Sequence, residues 1–196
     1  MEEIILVGYG GHAKSVADTI ERSGRFHIAG YTDSRERDSA YVYLGTDEAL
    51  GIYLEKGIHN LALCIGYLGK GNIRERLYRN LKEQGFSFPV VADPSAAISE
   101  RVVIGEGTFI GKGAVVNAEA VIGKMCIINT AAVIEHECQI GDFSHISVGA
   151  VLCGQVKIGG AAFVGANATI IQCQTIGERE VVPAGMTIRG AGGNIT

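Results

Sequence analysis

Two histidines stand where this chain offers proton chemistry. His136 lies between two carboxylates in Ile134-Glu135-His136-Glu137-Cys138, and His145 follows in Ser144-His145-Ile146. A carboxylate beside an imidazole raises its basicity and selects its tautomer. A neutral imidazole tuned in this way removes a proton from an amine or a hydroxyl. A second constellation opens the chain. Gly8-Tyr9-Gly10-Gly11-His12-Ala13 fits G-x-G-x-x-A, and Asp33 lies roughly 20 residues on, as a dinucleotide fingerprint requires. Such glycines let backbone N–H groups approach a phosphate at a helix N-terminus, and the carboxylate accepts hydrogen bonds from a ribose or base. The pattern indicates a nucleotide without fixing which one.

The elements that position these residues differ between the two halves. From Ile98 to Ile188 every sixth residue is aliphatic, through Ile104, Ile110, Val116, Ile122, Ile128, Ile134, Ile140, Ile146, Leu152, Ile158, Val164, Ile170, Ile176 and Val182. Neither a helix nor an ordinary strand has that period; a β-solenoid does. Small residues sit two positions earlier, among them Ala114, Ala120, Cys126, Ala132, Cys138, Ser144 and Ala150, as a second inward position at a crowded corner requires. Glycines follow many of the aliphatics, as in Ile104-Gly105, Ile140-Gly141 and Ile158-Gly159, and are read as turn residues with unusual backbone angles. Neither histidine falls on the large inward position, so both are expected near or on the outer surface.

The first 92 residues lack this register and read as α/β. Strands are expected over 3–7, 26–31 and 60–65, and helices over 15–23, 48–55 and 73–84, which makes a small parallel, doubly wound sheet. Residues 88–94 are expected to carry the chain into the first coil, giving a nucleotide-binding domain over 1–92 and a solenoid over 93–196.

Composition narrows the functions further. Twenty-eight glycines beside three prolines, with 47% hydrophobic residues, suit a turn-rich solenoid with a real core. A net charge of −4 leaves no electrostatic footprint for nucleic acid. No apolar run is long enough to span a membrane, and the acidic start Met1-Glu2-Glu3 does not read as a signal peptide. The five cysteines form no C-x-x-C pair; Cys126 and Cys138 read as buried free thiols of a cytoplasmic protein, and no metal site is expected.

Together, G-x-G-G-H in a short α/β domain and I-E-H-E-C-x-I-G-D-F-S-H-x-S-V-G in a hexapeptide solenoid resemble the bacterial nucleotide-sugar N-acetyltransferases of the bacillosamine and perosamine type. These are similar in turn to the sialic-acid O-acetyltransferases. The resemblance implies a Rossmann-like domain followed by a left-handed parallel β-helix of 18-residue coils, about 25 Å tall at roughly 4.8 Å per coil. It implies a homotrimer with sites between neighbours, and acetyl-CoA as co-substrate. The acceptor would be the amino group of a nucleotide-linked sugar, of the UDP-4-amino type, used for surface glycans or glycoproteins. By the same resemblance His136 is the general base and Glu137 raises its basicity. His145 meets the thioester, and Gly154 and Ala166 line the pantetheine path. Gly10, Gly11, His12, Asp33, Ser34 and Gly66 hold the nucleotide-sugar.

The chain departs from the family pattern in three places. Ser34 stands where a second acidic residue is usual, Tyr67–Ile73 is a longer glycine-rich stretch, and the C-terminal segment from Arg189 to Thr196 replaces G-x-P-A-K. The residues alone also accommodate a sugar O-acetyltransferase using the same histidine, or a non-catalytic solenoid that serves as a binding module.

Overall fold

The computed structural model describes residues 1–190. The N-terminal half runs β1 (Glu2–Val7), α1 (Gly11–Ser23), β2 (Phe26–Thr32), a 3-10 turn (Asp47–Ala49), α2 (Leu50–Glu55), β3 (Asn60–Leu63) and α3 (Ile73–Glu83). The strands form a parallel sheet of order β2-β1-β3. Central β1 buries Ile4, Leu6 and their neighbours on both faces, which is why it reads as a continuous apolar run. α1 begins at Gly11, four residues before the periodicity starts at Ser15, with Gly10 as its N-cap. First-turn N–H groups have no intrahelical partner, so glycines there cost the helix little and leave those groups free. The helix expected over 48–55 is divided into the 3-10 turn and α2.

The second half is a triangular solenoid of two-residue parallel strands, from Val91–Ala92 to Thr187–Ile188, arranged in faces of six, six and five strands. Ile128 pairs with Ile110 below and Ile146 above, so one coil takes 18 residues. The sixth-position aliphatics and the small residues two positions earlier fill one interior core, with Cys126 and Cys138 fully buried in it. Segment 88–94 is not a free connector. Val91 and Ala92 already pair with Phe109 and Ile110, so the first rung lies within it.

The glycines after the aliphatics have a different cause from the one expected. None of Gly105, Gly141 and Gly159 has a positive φ; instead a Cβ at Gly159 would lie 2.4 Å from the Glu178 nitrogen, and one at Gly141 2.6 Å from the Gly160 nitrogen. Coils approach too closely there for any side chain. From Ile110 onward the left-handed position is three residues before each aliphatic, and it is filled by Glu119, Met125, Ala131, Glu137 and Phe143 among others, with φ of 54 to 62° in these five. An L-residue in this region costs about 1–2 kcal/mol. A hydrogen bond offsets that cost from Met125 onward, because these N–H groups donate to the coil below, as Met125 does to Glu106 O at 2.8 Å and Glu137 to Ala118 O at 3.0 Å.

The α/β domain sits on the face that carries Phe109, Ile127, His145 and Phe163 outward, and the two halves share one apolar cluster. Polar ties fix the docking. Tyr67 Oη donates to Ala161 O at 2.6 Å, and Arg74 Nη2 donates to Met125 O at 2.7 Å. Buried Asp93 accepts from Arg22, Thr19 and Ser95. His145 is therefore not on the outer surface. It points outward from the prism but is only 6% exposed, because the Tyr67 loop lies over it.

Burial pushes the imidazole of His145 down to about 4, against the pull of its Tyr67 hydrogen bond. Burial and then the Arg74 charge push His12 down to about 3. Below the ordinary value near 6.5 the unfolded chain takes up protons that the folded chain refuses, so stability falls as pH drops from 6.5 toward 4. Thermal melts across that window should show the decline, and His12→Asn should flatten it; a flat wild-type profile would remove the argument. Gly159→Ala should lower unfolding free energy by about 1–3 kcal/mol through overpacking, read from denaturant midpoints at unchanged m-value.

Candidate active site

His136 occupies the solenoid edge between the second and third faces, where the chain passes from Val133–Ile134 to Gln139–Ile140. Glu137, next to it, is the left-handed corner residue, with φ of 59°. The two side chains meet outside the prism, His136 Nδ1 lying 3.0 Å from Glu137 Oε2. The same oxygen accepts from Gln155 Nε2 at 3.1 Å, and Cys173 Sγ reaches Gln155 Oε1 at 3.3 Å. Glu137, Gln155 and Cys173 are spaced by one coil each, so the stack follows from the register. The hydrogen bond from His136, then that from Gln155, holds the Glu137 carboxyl below the usual carboxylate range. An ionised acceptor places the imidazole proton on Nδ1 and leaves the Nε2 lone pair free. His136 is 54% exposed by side chain, so this lone pair is within reach of a substrate.

The other flanking acid has a different task. Glu135 Oε2 accepts from Asn117 Nδ2 at 3.0 Å, one coil below. Gly154 lies one coil above His136, where a Cβ would come within 2.5 Å of Nε2 and 2.6 Å of Cε1. The missing side chain makes room for the ring. Cys138 is fully buried in the core, away from the dyad.

His145 and Ala166 occupy other parts of the prism. His145 Nδ1 donates to Tyr67 O at 2.6 Å, its Nε2 takes Asn129 Nδ2 at 3.2 Å, and its ring stands edge-on to Phe163. Both ring nitrogens are thus engaged within the chain. Ala166 sits at the edge between the first and second faces, its carbonyl accepting from Gly185 N–H at 2.8 Å. The His136 edge is the one opposite the first face, and the first face carries the α/β domain.

At the C-terminal ends of the three parallel strands lies a cavity of about 680 Å³ that brings together Gly10, Gly11, His12, Asp33, Ser34 and Gly66. This is the crevice where ligands of open parallel sheets bind, and its size suits a small-molecule site. A Cβ on Gly10 or Gly11 would meet nothing within 4 Å, so the α1 N-terminus faces open space. His12 Nε2 is buried without a partner among the described residues. Asp33 is heavily used: Oδ2 accepts from Tyr9 N–H at 3.0 Å, and Oδ1 accepts from Ser34 Oγ and Arg37 Nη2, each at 3.0 Å. Burial opposes its ionisation, but the hydrogen bonds of Arg37 and Tyr9 hold its carboxyl well below the usual range.

Sequence reading missed Asp47 and Arg76, which also line the cavity. Neither belongs to a motif, and only the fold brings them in. The C-terminal departure from Ala191 onward lies outside the described residues. Among the described residues no group of three or more His, Cys, Asp or Glu side chains is arranged to hold a metal, and no helix is long and apolar enough to cross a membrane.

The family model described as the PglD N-terminal domain matches residues 3–81. No curated protein sequence matches the chain. Among solved structures, PerB from Caulobacter crescentus, in complex with CoA and GDP-perosamine, is 34% identical with a TM-score of 0.90, covering 96% of this chain and 89% of that one. The acetyltransferase domain of PglB from Neisseria gonorrhoeae, in complex with acetyl coenzyme A, is 30% identical with a TM-score of 0.71, covering 96% of each chain. WeeI from Acinetobacter baumannii, 20% identical with a TM-score of 0.59 over 97% of each chain, shares the fold. A strapped α/β domain, a β-solenoid and an exposed His-Glu dyad thus coincide with relatives at 30% identity and above over nearly the whole chain. The chain belongs to the PglD-type nucleotide-sugar N-acetyltransferases, acetyl-CoA-dependent enzymes that join a Rossmann-like domain to a left-handed β-helix.

Proposed function

We propose that the acceptor is the amino group of a nucleoside-diphosphate-linked sugar held in the α/β cavity, and that His136 is the general base. The amine nitrogen attacks the thioester carbonyl carbon, and His136 Nε2 takes the proton that this nitrogen sheds. The C–S bond then breaks, the acetyl group stays on nitrogen as an amide, and the imidazolium returns its proton to the leaving thiolate. Glu137, hydrogen-bonded to Nδ1, stabilises the imidazolium in between. Gly154 N–H donates to no group among the described residues and lies one coil from the ring, so it is the candidate donor to the oxyanion. Gly10, Gly11 and His12 bind the diphosphate, with Asp33, Ser34 and Gly66 shaping the remainder of the pocket. Gly154 and Ala166 flank the path of acetyl-CoA, whereas His145 is covered by the Tyr67 loop with both ring nitrogens engaged. A cytoplasmic location accords with this co-substrate.

One observation carries the assembly reading. The His136 edge lies opposite the face that bears the α/β domain, so dyad and nucleotide cavity cannot meet within one chain. The second face carries Ala97, Val115, Val133 and Val151 outward as an apolar ladder, which suits contact with further copies around a three-fold axis. Packing there sets the His136 edge of one copy beside the Ala166 edge of the next. The active site is then composite.

Thiol release from acetyl-CoA with amino- and hydroxyl-bearing nucleotide-sugars tests the chemistry. Turnover is expected only with amines; turnover of sialic-acid hydroxyls alone would overturn the acceptor assignment. His136→Ala should lower kcat by about 10²–10⁴ with little change in KM and no change in melting. Glu137→Gln should cost less. Light scattering should give three times the chain mass. Mixed trimers of His136→Ala and Gly11→Trp chains, each inactive alone, should recover activity, because intact halves then meet at some interfaces. A monomer, or no recovery on mixing, would rule out the composite site.

A further inference from the structure

The cavity holds a second carboxylate besides Asp33, and its surroundings say what it reads. Asp47 opens the 3-10 turn Asp47–Ala49, and it is held at the cavity by backbone contacts rather than by chance of a loop. Residues 42–45 run back along the end of β2: Tyr31 N–H donates to Val42 O at 2.9 Å, Leu44 N–H to Tyr31 O at 2.9 Å, and Asp33 N–H to Gly45 O at 3.2 Å. Thr32, the buried last residue of β2, donates its hydroxyl to Asp47 Oδ1 at 2.6 Å. Asp47 Oδ2 has no partner among the described residues. Asp33, by contrast, already takes three donors from its own chain, which makes it a latch between the Gly-rich turn and the Arg37 segment.

The direction in which a nucleotide lies follows from the positions of charge. The open N-terminus of α1 stands at the centre of the sheet, and exposed Arg76 lines the cavity from the α3 side. Phosphates are drawn between these two. The nucleoside is left with the β2 side, where Asp47 waits. His12 Nε2 is a further polar atom of this cavity that a ligand's polar group would satisfy.

Resting on the reading of this cavity as the nucleotide site, we infer that Asp47 is its base-reading residue, accepting an N–H from the Watson–Crick edge of the nucleobase. An ionised carboxylate only accepts hydrogen bonds. Uracil offers N3–H, and guanine offers N1–H with its 2-amino group. Cytosine N3 and adenine N1 are acceptors at the same place and set lone pairs against the carboxylate. Asp47 therefore selects UDP- or GDP-linked sugars and works against CDP and ADP, by an attractive and a repulsive element together.

Calorimetric titration of the full chain with UDP, GDP, CDP and ADP tests this. The wild type should bind UDP or GDP at least about ten-fold tighter than CDP and ADP, the value of one hydrogen bond to a charged group. Asp47→Asn should reduce the preferred binding by a similar factor and shrink the preference to under about three-fold, with CoA affinity unchanged. The wild-type preference needs no variant, and Asp47→Ala with a melting curve covers the case in which the asparagine variant fails to fold. Equal wild-type binding of CDP or ADP, or a preference retained in folded Asp47 variants, overturns the base-reading role while leaving the nucleotide cavity in place. If none of the four nucleotides binds, the cavity reading itself falls, and this inference with it.

Discussion

The rest of this molecule depends on the backbone hydrogen bonding of each coil to the next. Because the repeat is 18 residues and every strand is parallel and in register, residue i lies beside residue i+18 throughout. The interior has to be filled at that spacing, which is why large aliphatics alternate with alanine, cysteine or serine. The corners have to close at that spacing too. From Met125 onward they do so with a left-handed residue whose N–H is satisfied by the coil below, and with glycines such as Gly105, Gly141 and Gly159 where a Cβ would collide with the next coil. Among the described residues, local strain at nine non-glycine corners is thus stabilised by a ladder that no single coil could make.

The register also builds the chemistry. His136, Glu137 and their supports come from corners stacked one coil apart. Asn117 steadies Glu135, Gln155 steadies Glu137, and Gly154 leaves space for the imidazole. A dyad on a rigid solenoid edge is held by backbone rather than by a loop, which keeps the free Nε2 aimed in one direction. The pair stands exposed on a convex edge, and in the proposed assembly a second copy covers it.

The α/β domain contributes in a different way. It excludes water from one face of the prism, and this leaves His12 and His145 neutral near physiological pH. Arg74 is buried at the same seam, donating to the Met125 carbonyl, while its Nε and Nη1 find no partner among the described residues. The Tyr67–Ile73 loop is what covers His145, and Gly69 in it lies so close to Val181 that a Cβ would be 2.4 Å from Cγ2. This loop is a docking element.

Much of this was legible in the chain itself. A six-residue period is a local property, since every repeat has to satisfy the same core, and so the solenoid, its inward residues and the outward placement of His136 followed from spacing alone. The Gly-rich turn and Asp33 marked the cavity at the strand ends for the same reason: backbone angles and helix termini are set by neighbours in sequence. Tertiary structure decided what depends on contacts between distant segments. Periodicity could show that His145 points out of the prism, but not that a loop 78 residues earlier would bury it. Spacing could mark the glycines after the aliphatics, but not that a neighbouring coil, rather than a positive φ, demanded them. Asp47 belongs to no motif; it reaches the cavity because a return segment pairs with the end of β2, and such a pairing is chosen by the whole packed chain.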